Sequence, residues 1–65
     1  MKCRLKNITI DDCYYHSYVG DGKFHFTYKD NAKIFDTVEE ARKIIKKYRF
    51  NEKLIVIEKI KKGGK

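Results

Sequence analysis

Apolar and polar positions alternate most clearly between Cys13 and Tyr28, where two aromatic-rich runs flank Gly20-Asp21-Gly22. Period-two alternation marks half-buried strands. An Asp-Gly pair supplies the two positive-φ positions of a type I′ hairpin turn. With Asp21-Gly22 as the turn, Val19 faces Phe24, Ser17 faces Phe26 and Tyr15 faces Tyr28. The opposite face then carries Tyr18 beside His25 and His16 beside Thr27, with Tyr14 beyond. Moving the turn to Gly20-Asp21 leaves both faces as they are, because side-chain parity along each strand is unchanged. One face is apolar and aromatic; the other mixes aromatics with histidine and lysine.

Upstream, Lys2 to Ile10 reads as a strand whose parity shifts near Asn7, the signature of a bulge or an early strand end. Asp11-Asp12 follows as a solvated turn, since neighbouring carboxylates on a strand point to opposite faces and do not converge on a substrate. Beyond the hairpin, Ala32 to Phe35 offers a short extension. Thr37 with Glu40 three residues later then forms a capping box, and Asp36 with Glu39 offers the same device one residue earlier. Val38, Ala41, Ile44, Ile45 and Tyr48 keep the helical period. Asn51 is the expected terminator. Lys53 to Ile60 reads as a last strand, and its four consecutive aliphatics, Leu54 to Ile57, imply cover on both faces. The order is β-β-β-α-β, an α+β domain with a mainly antiparallel sheet and one helix on one face. Residues 1–60 form the domain, and 61–65 are expected to be a disordered basic tail. The expected shared core is Tyr15, Phe24, Phe26, Ala41, Ile44, Tyr48 and Val56. One parity of the last strand, either Leu54 with Val56 or Ile55 with Ile57, is left for the uncovered sheet face.

The 65-residue length changes the picture by limiting burial. Only about 60% of the unfolded surface of so short a chain is removed from water, enough for one thin core and no deep cavity. No apolar run approaches the ~20 residues of a membrane span, and the N-terminus has no apolar signal segment. Membrane insertion and secretion are not expected. The charge is uneven. Residues 1–36 hold six basic and five acidic side chains, net +1, and residues 37–65 hold ten and four, net +6. A basic half attracts nucleic acid, an acidic protein or an anionic membrane surface. It also stabilises the helix, because bases in the last turns suit its dipole. Cys3, Cys13, His16 and His25 have zinc-ligand chemistry, but their C-x9-C-x2-H-x8-H spacing lacks the paired ligands of a knuckle. Reduced thiols in a cytoplasm are the expectation. No metal and no cofactor is expected.

The stretch Ala32-Lys33-Ile34-Phe35-Asp36-Thr37-Val38-Glu39-Glu40-Ala41, after a tyrosine-rich hairpin, resembles small phage and plasmid proteins over about residues 13–60. In those proteins a strand meander leads into such a helix start and a last strand; many have no assigned job, while some mobile-element proteins of this size block host defence complexes. Tyr14, Tyr15, Tyr18, the Gly20-Asp21-Gly22-Lys23 turn and the Phe35 to Ala41 helix start also resemble the AP2-like arm-binding domains of phage integrases. Those domains read a DNA major groove with their sheet. The present hairpin carries little positive charge, and a hydrophobic strand follows the helix, which is where it departs from that pattern.

No phosphate loop, nucleophile elbow or metal-ligand cluster is present, so no enzymatic activity is expected. The expected function is that of a small cytoplasmic binding protein of phage or mobile-element origin. It would act as an inhibitor or adaptor on a protein or ribonucleoprotein with an anionic surface. The basic helix face Arg42, Lys43, Lys46, Lys47 and Arg49 would supply the electrostatic contact. Tyr14, His16, Tyr18 and His25 on the second sheet face would pack against the partner or a second copy of the chain. The alternative is nucleic-acid binding, as an AP2-like arm or a single-strand binder.

Overall fold

The computed structural model describes residues 1–60; the expected disordered tail, residues 61–65, lies outside the described residues. Four strands, β1 (Cys3–Asn7), β2 (Tyr14–Gly20), β3 (Lys23–Thr27) and β4 (Ile55–Lys59), form one antiparallel sheet in the order β3-β2-β1-β4. One helix, α1 (Val38–Lys47), crosses one face and packs against β1 and β4. The chain is an α+β domain of β-β-β-α-β order.

Asp21 and Gly22 both have positive φ, at 52° and 73°, and Gly20 pairs with Lys23 around them. The hairpin turn therefore sits at Asp21-Gly22. Register beyond the turn differs from simple alternation, because β2 carries two extra residues. Tyr18 pairs with Phe24, Ser17 with His25, Tyr15 with Phe26 and Tyr14 with Thr27, leaving Val19 and His16 as the inserted positions. Each insertion shifts the strand by one residue and flips its faces. After the first, Tyr18 joins Phe24 on the helix side. After the second, Tyr15 faces the core again, opposite Phe26 rather than Tyr28. Val19 and Tyr28, displaced from the expected pairs, are 60% and 69% exposed.

β1 ends at Asn7 and pairs with β4 along its whole length, from Cys3↔Lys59 to Asn7↔Ile55. Its contact with β2 is shorter. The strands register at Lys6↔Tyr14, and the Asn7 N–H donates to the Cys13 carbonyl at 2.8 Å. Towards the N-terminus, the segment 33–35 enters between them. Cys3 and Phe35 exchange both backbone hydrogen bonds, at 3.0 and 2.8 Å, and the Lys33 N–H donates to the Tyr15 carbonyl at 2.9 Å. Phe35 is thereby buried and stacked on Tyr15.

Thr37 caps α1 as expected: its hydroxyl accepts the Glu40 N–H at 3.2 Å, and the Glu40 carboxylate accepts from the Asp36 and Thr37 N–H groups. The helix stops earlier than Asn51. Arg49 has a φ of 54°, and its N–H donates to the Lys46 carbonyl while the Phe50 N–H donates to that of Ile45. Those two bonds define a Schellman ending with arginine in the left-handed position usually taken by glycine. Asn51 instead organises the next turn, its Oδ1 accepting from Lys53 N–H and its carbonyl from Leu54 and Ile55.

The core joins Cys3, Leu5, Tyr15, Phe35, Ala41, Ile45 and Ile55, with Phe24, Phe26, Val38, Ile44, Phe50 and Ile57 packed around them. Ile55 and Ile57 therefore face the helix. Val56, expected in that core, belongs to the other parity and lies on the far side of the sheet with Lys6 and Glu58.

Candidate functional site

At 100° per residue, α1 turns Ala41 and Ile45 down into the core and divides its cations into two rails. Arg42 and Lys46 rise beside Ile45, on the β4 side. Lys43 and Lys47 lie round the cylinder towards Tyr48 and the hairpin. All four are exposed. Among the described residues the one ion pair is Arg4–Glu58, on the opposite side of the sheet, so the helix cations have no carboxylate within ion-pair distance. Like charges four residues apart, as in Arg42/Lys46 and Lys43/Lys47, cost a few tenths of a kcal/mol each. Arg49, just past the helix, is exposed as well.

The hairpin-side rail meets aromatic surface. Tyr18, brought to this side by the Val19 insertion, stacks on Tyr48 with ring centroids 5.0 Å apart and an interplanar angle of 22°. Its hydroxyl accepts the Gly22 N–H at 3.0 Å, which ties the ring to the turn. The Lys47 ammonium sits 5.3 Å above the Tyr48 ring. Phe24 and Phe50 fill in behind, edge-on at 4.9 Å. Tyr18 stays 42% exposed, so part of this aromatic stack remains at the surface.

The other rail borders a groove. Arg42, Ile45 and Lys46 of α1, Glu52, and Ile55, Val56 and Ile57 of β4 line a hollow of about 290 Å³. The second hollow, about 320 Å³, lies at the far end of the sheet between the Ile10–Cys13 turn and Phe26–Tyr28.

The second sheet face differs from the expected aromatic patch. Tyr18 has left it. Tyr14 is there but only 4% exposed: the Arg4 guanidinium lies 5.2 Å over its ring, and its hydroxyl donates to Glu58 at 3.2 Å. Arg4 in turn pairs with Glu58. The sheet thus roofs this face with its own polar side chains, and Tyr14 is not available for contact. His16 and His25 do meet across the hairpin, exposed, with rings 4.9 Å apart, and His16 Nδ1 lies 2.9 Å from Ser17 Oγ. Among the described residues no three metal-ligating side chains converge. Cys3 and Cys13 are both free thiols. Burial pushes the Cys3 thiol above its ordinary range, the carboxylates of Glu40 and Glu39 adding to the shift. Its Sγ–H points at the Thr37 carbonyl, 3.5 Å away.

Tyr48, Phe50 and the β4 groove were missed as site elements by pattern alone. The signal for Tyr48 was present, since a tyrosine on the apolar stripe of a basic helix leaves its polar end at the surface. No protein-family profile matches the chain, and no curated protein or solved structure matches it. Among the described residues no helix is long and apolar enough to cross a membrane.

Proposed function

We propose that this chain is a non-enzymatic binding protein that docks on an acidic protein surface through the cationic side of α1. The observation that carries the reading is the set Arg42, Lys43, Lys46 and Lys47, exposed on one helix with no carboxylate in ion-pair distance among the described residues. Arg42/Lys46 and Lys43/Lys47 repel along the helix, and an anionic partner relieves that repulsion. Acting by occupancy, the protein serves as an inhibitor or adaptor of that partner. Its two free thiols suit a reducing compartment such as the cytoplasm.

One observation favours a second reading. The partly exposed Tyr18–Tyr48 stack beside Lys47 interleaves aromatic and cationic groups, the arrangement that holds unpaired bases. Fluorescence polarisation separates the two, using a labelled polyglutamate peptide and a labelled oligo-dT strand. The first reading expects peptide binding that weakens with salt. The double reversal Lys43→Glu, Lys46→Glu should weaken it about tenfold, with little change in melting because exposed charges contribute little to folding. Preference for oligo-dT, lost in Tyr18→Ala, would put the nucleic-acid reading first. Absence of binding to either probe at low salt would remove both.

A further inference from the structure

The groove beside Arg42 and Lys46 has an unusual shape for a side-chain pocket. Ile55 and Ile57 turn towards the helix and Val56 away from it, yet all three line the hollow. A space that touches both parities of a strand lies along the free edge of that strand. β4 is an edge of the sheet, with β1 on its other side.

Which backbone groups face that edge follows from the ladder. Ile60 N–H donates to the Lys2 carbonyl and Ile8 N–H to the Leu54 carbonyl, both at 2.9 Å. Hydrogen-bonded pairs alternate along an antiparallel ladder. Glu58 with Arg4 and Val56 with Lys6 are therefore the bonded pairs between those two. Ile57 and Lys59 then turn their N–H and C=O groups outward. Ile55 N–H is already taken by the Asn51 carbonyl, so the open run begins at the Ile55 carbonyl.

We propose that an extended acidic segment of a partner protein adds to β4 as a fifth strand, lying in the groove between the strand edge and α1. Backbone pairing with Ile57 and Lys59 supplies the register. Alternate side chains enter the groove, aliphatic parts against Ile45, Ile55 and Ile57, and carboxylates reaching Arg42, Lys46 and Lys59. Main-chain bonds give such a mode its affinity and the flanking side chains its selectivity. Glu52 closes the Ile55 end and disfavours an acid there, which places the acidic residues towards Lys59. A second copy of this chain is the other candidate strand. Pairing β4 with β4 would bring two chains of net charge +7 together with their Arg42 and Lys46 rails side by side, so charge complementarity selects a foreign acidic strand.

This inference rests on the anionic-partner reading and specifies how the partner is held. The test uses the full chain with a labelled decapeptide of alternating glutamate and valine, and the same peptide N-methylated at every peptide bond. N-methylation keeps every charge and removes strand pairing. The N-methylated peptide should bind at least about tenfold more weakly, the equivalent of losing two or three net hydrogen bonds. Lys59→Pro should do the same while Lys59→Ala changes affinity much less. Proline is tolerated where a strand N–H faces solvent, so the sheet survives the substitution. Bound peptide should also slow amide exchange at Ile57 and Lys59, which contact with the helix alone would not. Equal binding of both peptides, with unchanged exchange at β4, overturns the strand-addition inference and leaves the anionic-partner reading standing. Failure of both peptides to bind removes the two together. A concentration-dependent dimer abolished by Lys59→Pro would assign the edge to a second copy and overturn the foreign strand.

Discussion

Truncating Leu5 to alanine tests the architecture where it is most enclosed. Leu5 has no exposed surface, lies at the middle of β1 and stands directly opposite Ile57. Removing a fully buried leucine side chain costs about 3–5 kcal/mol, transfer and cavity together. A domain of 65 residues has about 3–10 kcal/mol in all, so the substitution removes a third of the stability or more. At 4–8 °C per kcal/mol for domains of this size, melting should fall by about 15 °C or more. Val56→Ala is the companion. Val56 is half-buried on the far face, and its truncation should cost about 1 kcal/mol or less. Urea titrations followed by far-UV circular dichroism measure both. Should Leu5→Ala be unfolded at 25 °C, Ile57→Val reads the same core at about 0.5–1.5 kcal/mol. Equal losses for Leu5→Ala and Val56→Ala would mean that β4 presents its other parity to the helix, and the assigned core would be wrong.

Three further outcomes follow from named contacts. Thr37→Ala breaks the capping box and should cost about 1 kcal/mol by chemical denaturation, with Glu40→Ala adding less than its own separate effect, because the two residues act as a unit. Arg49→Gly should stabilise the domain by up to about 1 kcal/mol in the same assay, since glycine adopts the left-handed Schellman position without strain. Stability should decline as pH rises through the alkaline range. Burial pushes the pKa of both Cys3 and Tyr15 upward, so each keeps its proton to higher pH folded than unfolded. Unfolding then releases protons once pH passes the free-thiol range, about 8.5, and the loss grows as pH rises towards the raised folded pKa values. Cys3→Ala and Tyr15→Phe should each flatten that decline; a slope unchanged in the double variant would show that other groups cause it.

Much of the fold was legible because the strongest local signals agreed with one another. The Asp21-Gly22 turn, the Thr37–Glu40 cap and the stripe from Val38 to Tyr48 all fixed elements that the structure shows in place. The losses have physical reasons. His16 and Val19 are ordinary strand residues, so nothing in their chemistry announces an insertion, yet together they moved Tyr18 to the helix side and restored Tyr15 to the core. Leu54 to Ile57 are all aliphatic, which hides parity; only the pairing of Leu5 with Ile57 resolves it. Arginine in a left-handed cap gave no stop signal, and Phe50 therefore went unseen as a core aromatic. For the candidate site, the helix cations were legible from spacing. The covering of Tyr14 by Arg4 and Glu58 required the sheet order, because those residues come from opposite ends of the chain.

The position of β1 constrains how the molecule is made. β1 is made before the other three strands yet lies inside the sheet, and its fully paired neighbour, β4, is made after β2 and β3. A nascent chain on the ribosome can close the β2–β3 hairpin early, since that pairing is local. Leu5 and Cys3 must wait for Ile57 and Lys59 before one side of their strand is occupied. Pairings so distant in sequence form slowly, and the interval leaves the side chains of Cys3 and Leu5 without their cover. Termination before β4 would therefore remove the pairing along one whole side of β1, and produce a product prone to aggregation.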